Sequence, residues 1–500
     1  MEINELSAVE IAEKVNNKEF SAFEIFNSCM KRAISLEGRI GAFITLTLEE
    51  AREDARKVDD LIAQGKPVGK LAGVPFAAAD NIVVRGVKTT AGSKMLLNWT
   101  PPYSATVVEL LRQEGAILMG KTNIDEFSMG NTTESSAYGV TSNPWDTSRV
   151  PGGSGSAAAV AAGYFPFSIG SDTDGALRQS AAFCGIHALK PTYGMVSRYG
   201  LIAYASSLDQ VGVFTRNFND IELVMQICTT LPMDGQAPRR TWMSGSGVQN
   251  AQCTMQNAKC KMQNGKKTER VGIVKDFREF DLMIDPAIRD AEEKAIEFLR
   301  SSGVEIIEVS LPVTFKYAVP CFYAISVSEA NTNLARYDGV RYGYSVKDAL
   351  SLTDQYTRAR SEGFGIEPKR KILAGTYLTD PVKYDKYYTP ALKVRQMIAD
   401  EFARAFSEVN CILQPVAPTL ATRKGEKAED KNKYISDMYN FPASLAGLST
   451  LSFSAGYCAK TNLPVGLQLL GKRWSDYDLI ATARLLESHF GEPKTAKEVI

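Results

Sequence analysis

Apolar runs of strand length alternate with helical segments along this chain, and that alternation constrains its fold more than any other feature. Residues 71–79 read as a buried strand, a helix around 104–113 follows, and Ala116-Ile117-Leu118-Met119 supplies a second strand. Later, Val271-Gly272-Ile273-Val274, a helix near 286–301 and Val304-Glu305-Ile306-Ile307 form a strand–helix–strand unit. A chain patterned this way is expected to be α/β, with a mainly parallel or mixed sheet.

The first residues read as helices. Ser7-Ala8-Val9-Glu10 and Ser21-Ala22-Phe23-Glu24 both fit a capping box, in which a serine and a glutamate satisfy the free amides of a helix start. Ile25, Phe26, Cys29 and Met30 then recur at helical spacing. A length of 500 residues allows two or three domains or one large α/β unit. One polar segment interrupts the pattern: Gln249 to Met255 is nearly repeated as Gln256 to Met262. Two copies are too few for a coiled coil, so residues of about 236–268 are expected to be a flexible insertion.

Charge and rare residues exclude several classes. Lys+Arg and Asp+Glu both number 57, which argues against a chain that grips nucleic acid on its own. The only histidines are His187 and His489, so a Ser-His-Asp triad and a His-rich metal site are not expected. The eight cysteines form no CxxC pair and no cluster at metal spacing, as in reduced cytosolic chains. Residues 1–11 carry no signal-peptide pattern, and no apolar run reaches the length of a membrane span. The expected compartment is the cytoplasm.

Three segments bear on chemistry: Gly73-Val74-Pro75-Phe76-Ala77-Ala78-Ala79-Asp80-Asn81, Pro151-Gly152-Gly153-Ser154-Gly155-Ser156 ahead of an alanine-rich run, and Gly170 to Gln179. A Gly/Ser loop entering a helix presents backbone amides to an anion or oxyanion, or else its glycines simply allow close packing. It lacks the Gly-Lys-Ser/Thr of a nucleotide loop, so ATP binding is not expected. Taken together, the order and spacing of the three segments resemble the amidase signature family. Longer runs, among them Gly120 to Phe127, Ser142 to Asp146, Lys190 to Gly194 and Ser197 to Gln210, resemble its branch of glutamyl-tRNA(Gln) amidotransferase A subunits.

That resemblance implies a single domain over residues 1–500, with a signature core of about 65–215 and a C-terminal part of about 269–500. It implies a large mixed central β-sheet flanked by helices on both faces. It also implies a Ser–Ser–Lys triad, in which a neutral lysine, through a bridging cis-serine, activates a nucleophilic serine. Carried over to this chain, Ser154 matches the cis-serine, but Ala79 occupies the lysine position and Ala176 the nucleophile position. Thr173, Asp174 and Gly175 form the oxyanion loop, where Asp174 replaces a glycine, and Ser180 replaces a proline. The Gly/Ser loop is two residues short. Arg360 and Asp437 match the positions that hold the α-carboxylate and α-ammonium of glutamine, which suits an Arg fork and an acid.

Lys94 and Lys121 offer no evident substitute base, and nothing in the sequence sets a neutral lysine beside Ser156 or Ser171. Asp172 and Asp174 are not expected to act as a catalytic acid pair. By resemblance the partners are the amidotransferase B and C subunits, with glutamine as ligand and tRNA reached only through the B subunit. No metal and no cofactor is expected in this chain, ATP and Mg belonging to a partner. The expected function is that of an A-subunit-like protein, ancestrally a glutaminase supplying ammonia, with catalysis impaired or lost. The alternatives are a non-enzymatic scaffold or glutamine-sensing pseudoamidase, and another amidase signature hydrolase.

Overall fold

In the computed structural model, which describes residues 3–229, 269–426 and 429–496, eleven strands form one sheet. The expected insertion at 236–268 lies outside the described residues. The strands are β1 (Phe43–Leu46), β2 (Pro75–Ala79), β3 (Ile117–Thr122), β4 (Phe167–Asp172), β5 (His187–Lys190), β6 (Gln210–Thr215), β7 (Arg270–Val274), β8 (Glu305–Val309), β9 (Cys411–Pro415), β10 (Ser449–Tyr457) and β11 (Pro464–Gly471). Their order is β1-β3-β2-β4-β6-β5-β10-β11-β9-β7-β8.

The sheet is mixed. β3, β2 and β4 run parallel, β9, β7 and β8 run parallel, and the strands between are antiparallel. Every residue of β2, β3, β6 and β11 is buried. A strand buried at consecutive positions is covered on both faces, which explains the apolar runs at 71–79 and Ala116–Met119. The C-terminal strand–helix–strand unit forms as expected: β7 and β8 pair in parallel across the helix Pro286–Ser301. Such a crossover buries its helix on the sheet.

Both N-terminal capping boxes form. Ser7 and Glu10 close the start of the helix Ala8–Asn16, and Ser21 and Glu24 that of Ala22–Ile40. Ile25, Phe26, Cys29 and Met30 are buried along the second of these. His489 lies on the surface at the end of the helix Asp476–Phe490, while His187 is buried, stacked on Phe218 at 4.0 Å and bonded to Glu487 at 3.0 Å. Among the described residues no helix is long and apolar enough to cross a membrane.

Candidate functional site

The carboxyl ends of the parallel strands β3, β2 and β4 meet at one edge of the sheet, the place where open α/β sheets expose loops to a ligand. Ala79 ends β2 and pairs with Thr122 of β3, and it is 1% exposed. The chain then turns through Asp80, whose Oδ2 accepts from the Thr90 amide at 2.9 Å and whose Oδ1 pairs with Lys121 Nζ at 3.2 Å. Lys121 also donates to Thr89 Oγ1 at 3.1 Å, and burial holds its amine below the usual lysine range despite Asp80. This lysine is therefore spent on the structure of the β2 turn. Asn81 donates to Ser128 Oγ at 2.7 Å and to Ser171 Oγ at 2.8 Å, but its own Oδ1 is buried without a donor.

The Gly/Ser loop packs directly on the Ala176 loop. A carbon added at Gly153 would lie 3.3 Å from the Ala176 methyl, and one at Gly152 only 2.6 Å from Ser180 Oγ, so the glycines serve close approach. Ser154 is the N-cap of the helix Gly155–Ala161, its Oγ accepting from the Ser156 amide at 3.3 Å. Ser156 shares a hydrogen bond with Thr122 Oγ1 at 2.6 Å. The expected cis peptide at Ser154 is not found: among the described residues every peptide bond is trans. The shortened loop enters its helix through Ser154 itself, and the free amides of a helix start claim that hydroxyl.

The loop after β4 is fixed by a buried ion pair. Asp172 Oδ1 accepts from Arg178 Nη2 at 2.9 Å and Oδ2 from Nε at 3.1 Å, both side chains being fully buried. Desolvation opposes ionisation of Asp172, yet the Arg178 guanidinium wins and holds the carboxyl below its usual range. Arg178 reaches on to Asn440 O at 3.0 Å and Ser444 Oγ at 3.1 Å, which ties the loop to the helix Asp430–Leu445. Thr173 Oγ1 donates to Asp209 at 2.6 Å, and the Gly175 amide donates to Asp172 Oδ1 at 3.1 Å. Of the expected oxyanion loop, then, the Gly175 amide is already committed. Gly175 has φ of 105°, and a side-chain carbon there would come within 2.6 Å of Asn440. Ala176 begins the helix Ala176–Cys184, and Ser180, where a proline was expected, bonds back to Ala176 O at 2.6 Å.

Asp174 lies in the bend that follows the end of β4 at Asp172. It is 7% exposed, and its carboxyl is pushed up to about 7 by burial, with the like charges of Asp172, Asp437 and Asp125 adding to the effect. Asn131, oriented with its amide nitrogen inward, donates to Asp174 Oδ1 at 3.2 Å. Asp437 is 7% exposed, accepts from Tyr323 Oη at 2.9 Å and is pushed up to about 6, chiefly by burial.

Arg360 is bonded elsewhere than beside Asp437. The Arg360 Nη1 donates to the carbonyls of Leu334 and Tyr337, both at 2.9 Å, and its guanidinium lies over the Phe364 ring at 5.1 Å. An arginine fork suits carbonyls as well as a carboxylate, and here two carbonyls take it. Lys371, from the helix Ile366–Leu378, acts on both Asp174 and Asp437, and Lys433 acts on Asp437 as well. The Lys371 amine donates to Tyr204 Oη at 2.9 Å and sits over that ring at 4.3 Å. Tyr204 lies in the run Ser197 to Gln210, which does not single it out, and no local motif marks Tyr323 or Lys371. Lys371 belongs to the run Lys369-Arg370-Lys371, which reads as a solvated face, and only the tertiary fold separates it from its neighbours.

Asp174, Asp437 and Lys371 thus act on one another electrostatically, and methyl groups stand at positions 79 and 176. Among the described residues, Ser154, Ser156 and Ser171 make no hydrogen bond to a lysine amine. Among the described residues no group of His, Cys, Asp and Glu is placed to hold a metal ion.

Comparison with known proteins agrees over nearly the whole chain. The amidase family matches residues 24–480. The glutamyl-tRNA(Gln) amidotransferase A subunit of Carboxydothermus hydrogenoformans is 45% identical, covering 99% of this chain and 100% of its own length. That of Heliobacterium modesticaldum is 44% identical, with 98% of each chain covered. The crystal structure of the corresponding A subunit of Thermotoga maritima superimposes with a TM-score of 0.75 at 30% identity, covering 99% of this chain and 97% of that one.

Proposed function

This chain belongs to the amidase family, and we infer that it is an A-subunit-type member of the glutamyl-tRNA(Gln) amidotransferase branch from which amide hydrolysis has been lost. In this reading it works in the cytoplasm beside the B and C subunits, reaches tRNA only through the former, and leaves ATP and Mg to that partner. A net charge of zero supports a chain that does not grip RNA itself.

One observation carries the loss of hydrolysis. Amide cleavage needs a hydroxyl, a base to take its proton, and free donors for the oxyanion. Ala79 and Ala176 supply neither amine nor hydroxyl. The remaining hydroxyls have other partners: Ser154 caps a helix, Ser156 bonds to Thr122, and Ser171 accepts from Asn81. No lysine amine is among those partners, and Lys121 is held by Asp80. A ligand-sensing role is the second reading, favoured by the opposite charges of Lys371 and Asp437, which act on each other.

A fluorophosphonate probe, which phosphonylates activated serines, tests this directly. Mass spectrometry of the treated full chain is expected to find no modified peptide within residues 151–180. Stoichiometric labelling of Ser154, Ser156 or Ser171 would contradict the reading.

A further inference from the structure

Beside the end of the helix Pro312–Leu334 lies a cavity of about 270 Å³, lined by none of Ala79, Ser154 or Ala176. Trp99, Tyr103, Tyr337 and Tyr342 line it, together with Asn333, Arg336 and the segment 200–203. The loops that shape it are tied down. The Val83 amide donates to Gly200 O at 2.9 Å, and the Tyr344 amide to Met95 O at 2.7 Å.

Two kinds of group meet in this space. The Tyr342 ring lies 6.3 Å from that of Trp99 and meets that of Tyr337 edge-on at 6.0 Å, and such faces favour a flat ring as partner. Arg336 adds a charge. Its Nε donates to Asn333 O at 2.8 Å and its Nη2 to Asn333 Oδ1 at 3.4 Å, which fixes the guanidinium at the helix end. Among the described residues it pairs with no carboxylate, and its Nη1 makes no hydrogen bond. Tyr337 is 7% exposed, yet its hydroxyl makes no hydrogen bond to a described residue.

A box of rings alone would suit a quaternary ammonium, but Arg336 repels a cation. A guanidinium without an acid calls for a carboxylate or a phosphate. Asp338 and Arg341 offset each other along the same loop, so Arg336 leaves one positive charge there. That matches a carboxylate better than a phosphate monoester, which carries nearly two charges at neutral pH. An apolar cavity of about 150 Å³ holds benzene, so this one has room for a ring and its carboxyl group.

We propose that this cavity binds a small planar aromatic carboxylate, with its ring against Trp99, Tyr337 and Tyr342 and its carboxylate on Arg336. The site stands apart from the altered amidase centre, and the proposal does not depend on the loss of hydrolysis.

Calorimetric titration of the full chain with cinnamate tests it, beside cinnamyl alcohol, which lacks the charge, and cyclohexanecarboxylate, which lacks the flat ring. Cinnamate is expected to bind about tenfold or more tighter than either, the gain that a charge-assisted hydrogen bond or an aromatic contact gives. Arg336→Gln and Tyr342→Leu are each expected to weaken it about tenfold. Both residues are exposed, so the melting temperatures of these variants are expected to match that of the parent chain. Trp474 is an exposed aromatic outside the cavity, and Trp474→Phe is expected to leave binding unchanged. Equal binding of either analogue, binding that survives Arg336→Gln or Tyr342→Leu, tighter binding of adenosine monophosphate or choline, or no heat with cinnamate would each overturn the proposal.

Discussion

Returning Ala79 to lysine and Ala176 to serine in one chain is expected to leave glutamine turnover several orders of magnitude below that of a chain that also carries Asp174→Gly and a two-residue extension of the 152–156 loop. Triad residues act as a unit. Losing one costs nearly as much as losing all, on the order of a millionfold, so restoring two gains little while the rest of the unit is misplaced. Ser154 would still cap its helix, with Oγ 3.3 Å from the Ser156 amide, rather than bridge a lysine to a serine. Asp174 would still set a carboxylate beside the developing oxyanion, and the Gly175 amide would still be given to Asp172 at 3.1 Å. The new lysine would also enter a fully buried strand end. Steady-state ammonia release from the two variants decides it. A double revertant as fast as the fourfold one would show that the loop and Asp174 do not matter.

Asp174→Asn is expected to raise the melting temperature at pH 8 and to change it little near pH 4. The folded carboxyl titrates at about 7, above its ordinary 3.8. Between those values the folded chain holds a proton that the unfolded chain has released, so stability falls as pH rises through this window. Above pH 7 the whole penalty of a buried, poorly compensated carboxylate is present, and the amide relieves it. The gain is a few kcal/mol at most and about a few degrees in a chain of this size. Other raised acids, Asp209 at about 7 and Asp437 at about 6, give both proteins a similar slope, so the difference between them isolates Asp174. Thermal scans from pH 4 to 8 measure it. A loss of stability at pH 8 would show that Asp174 is already ion-paired.

Much of this is legible in the residues themselves because the informative signals are local. Capping boxes at Ser7 and Ser21 need only four residues each, and the apolar run Ala116–Met119 announces a strand covered on both faces. Ala79, Ala176 and Asp174 stand out because their flanking residues keep a familiar pattern while they do not. What needs the fold is long-range. The antiparallel neighbours β6, β5, β10 and β11 pair according to tertiary packing, which no local period encodes. Arg360 suggests a carboxylate fork by its chemistry, but the carbonyls at the end of the helix Pro312–Leu334 claim it. Lys371 has the look of surface charge, and only the packing of its helix turns that one amine toward Tyr204 and the two acids. The cis-serine expectation fails for a physical reason of the same kind: a loop two residues shorter begins its helix at the serine itself, so the hydroxyl is consumed as a cap.

The central claim is that no amide is cleaved here, and ammonia release from glutamine measures it most directly. The full chain, alone and combined with the B and C subunits, is to be assayed beside its Ser154→Ala variant. The account predicts release at the level of buffer for both proteins in both settings. Turnover above buffer that disappears on Ser154→Ala would contradict it.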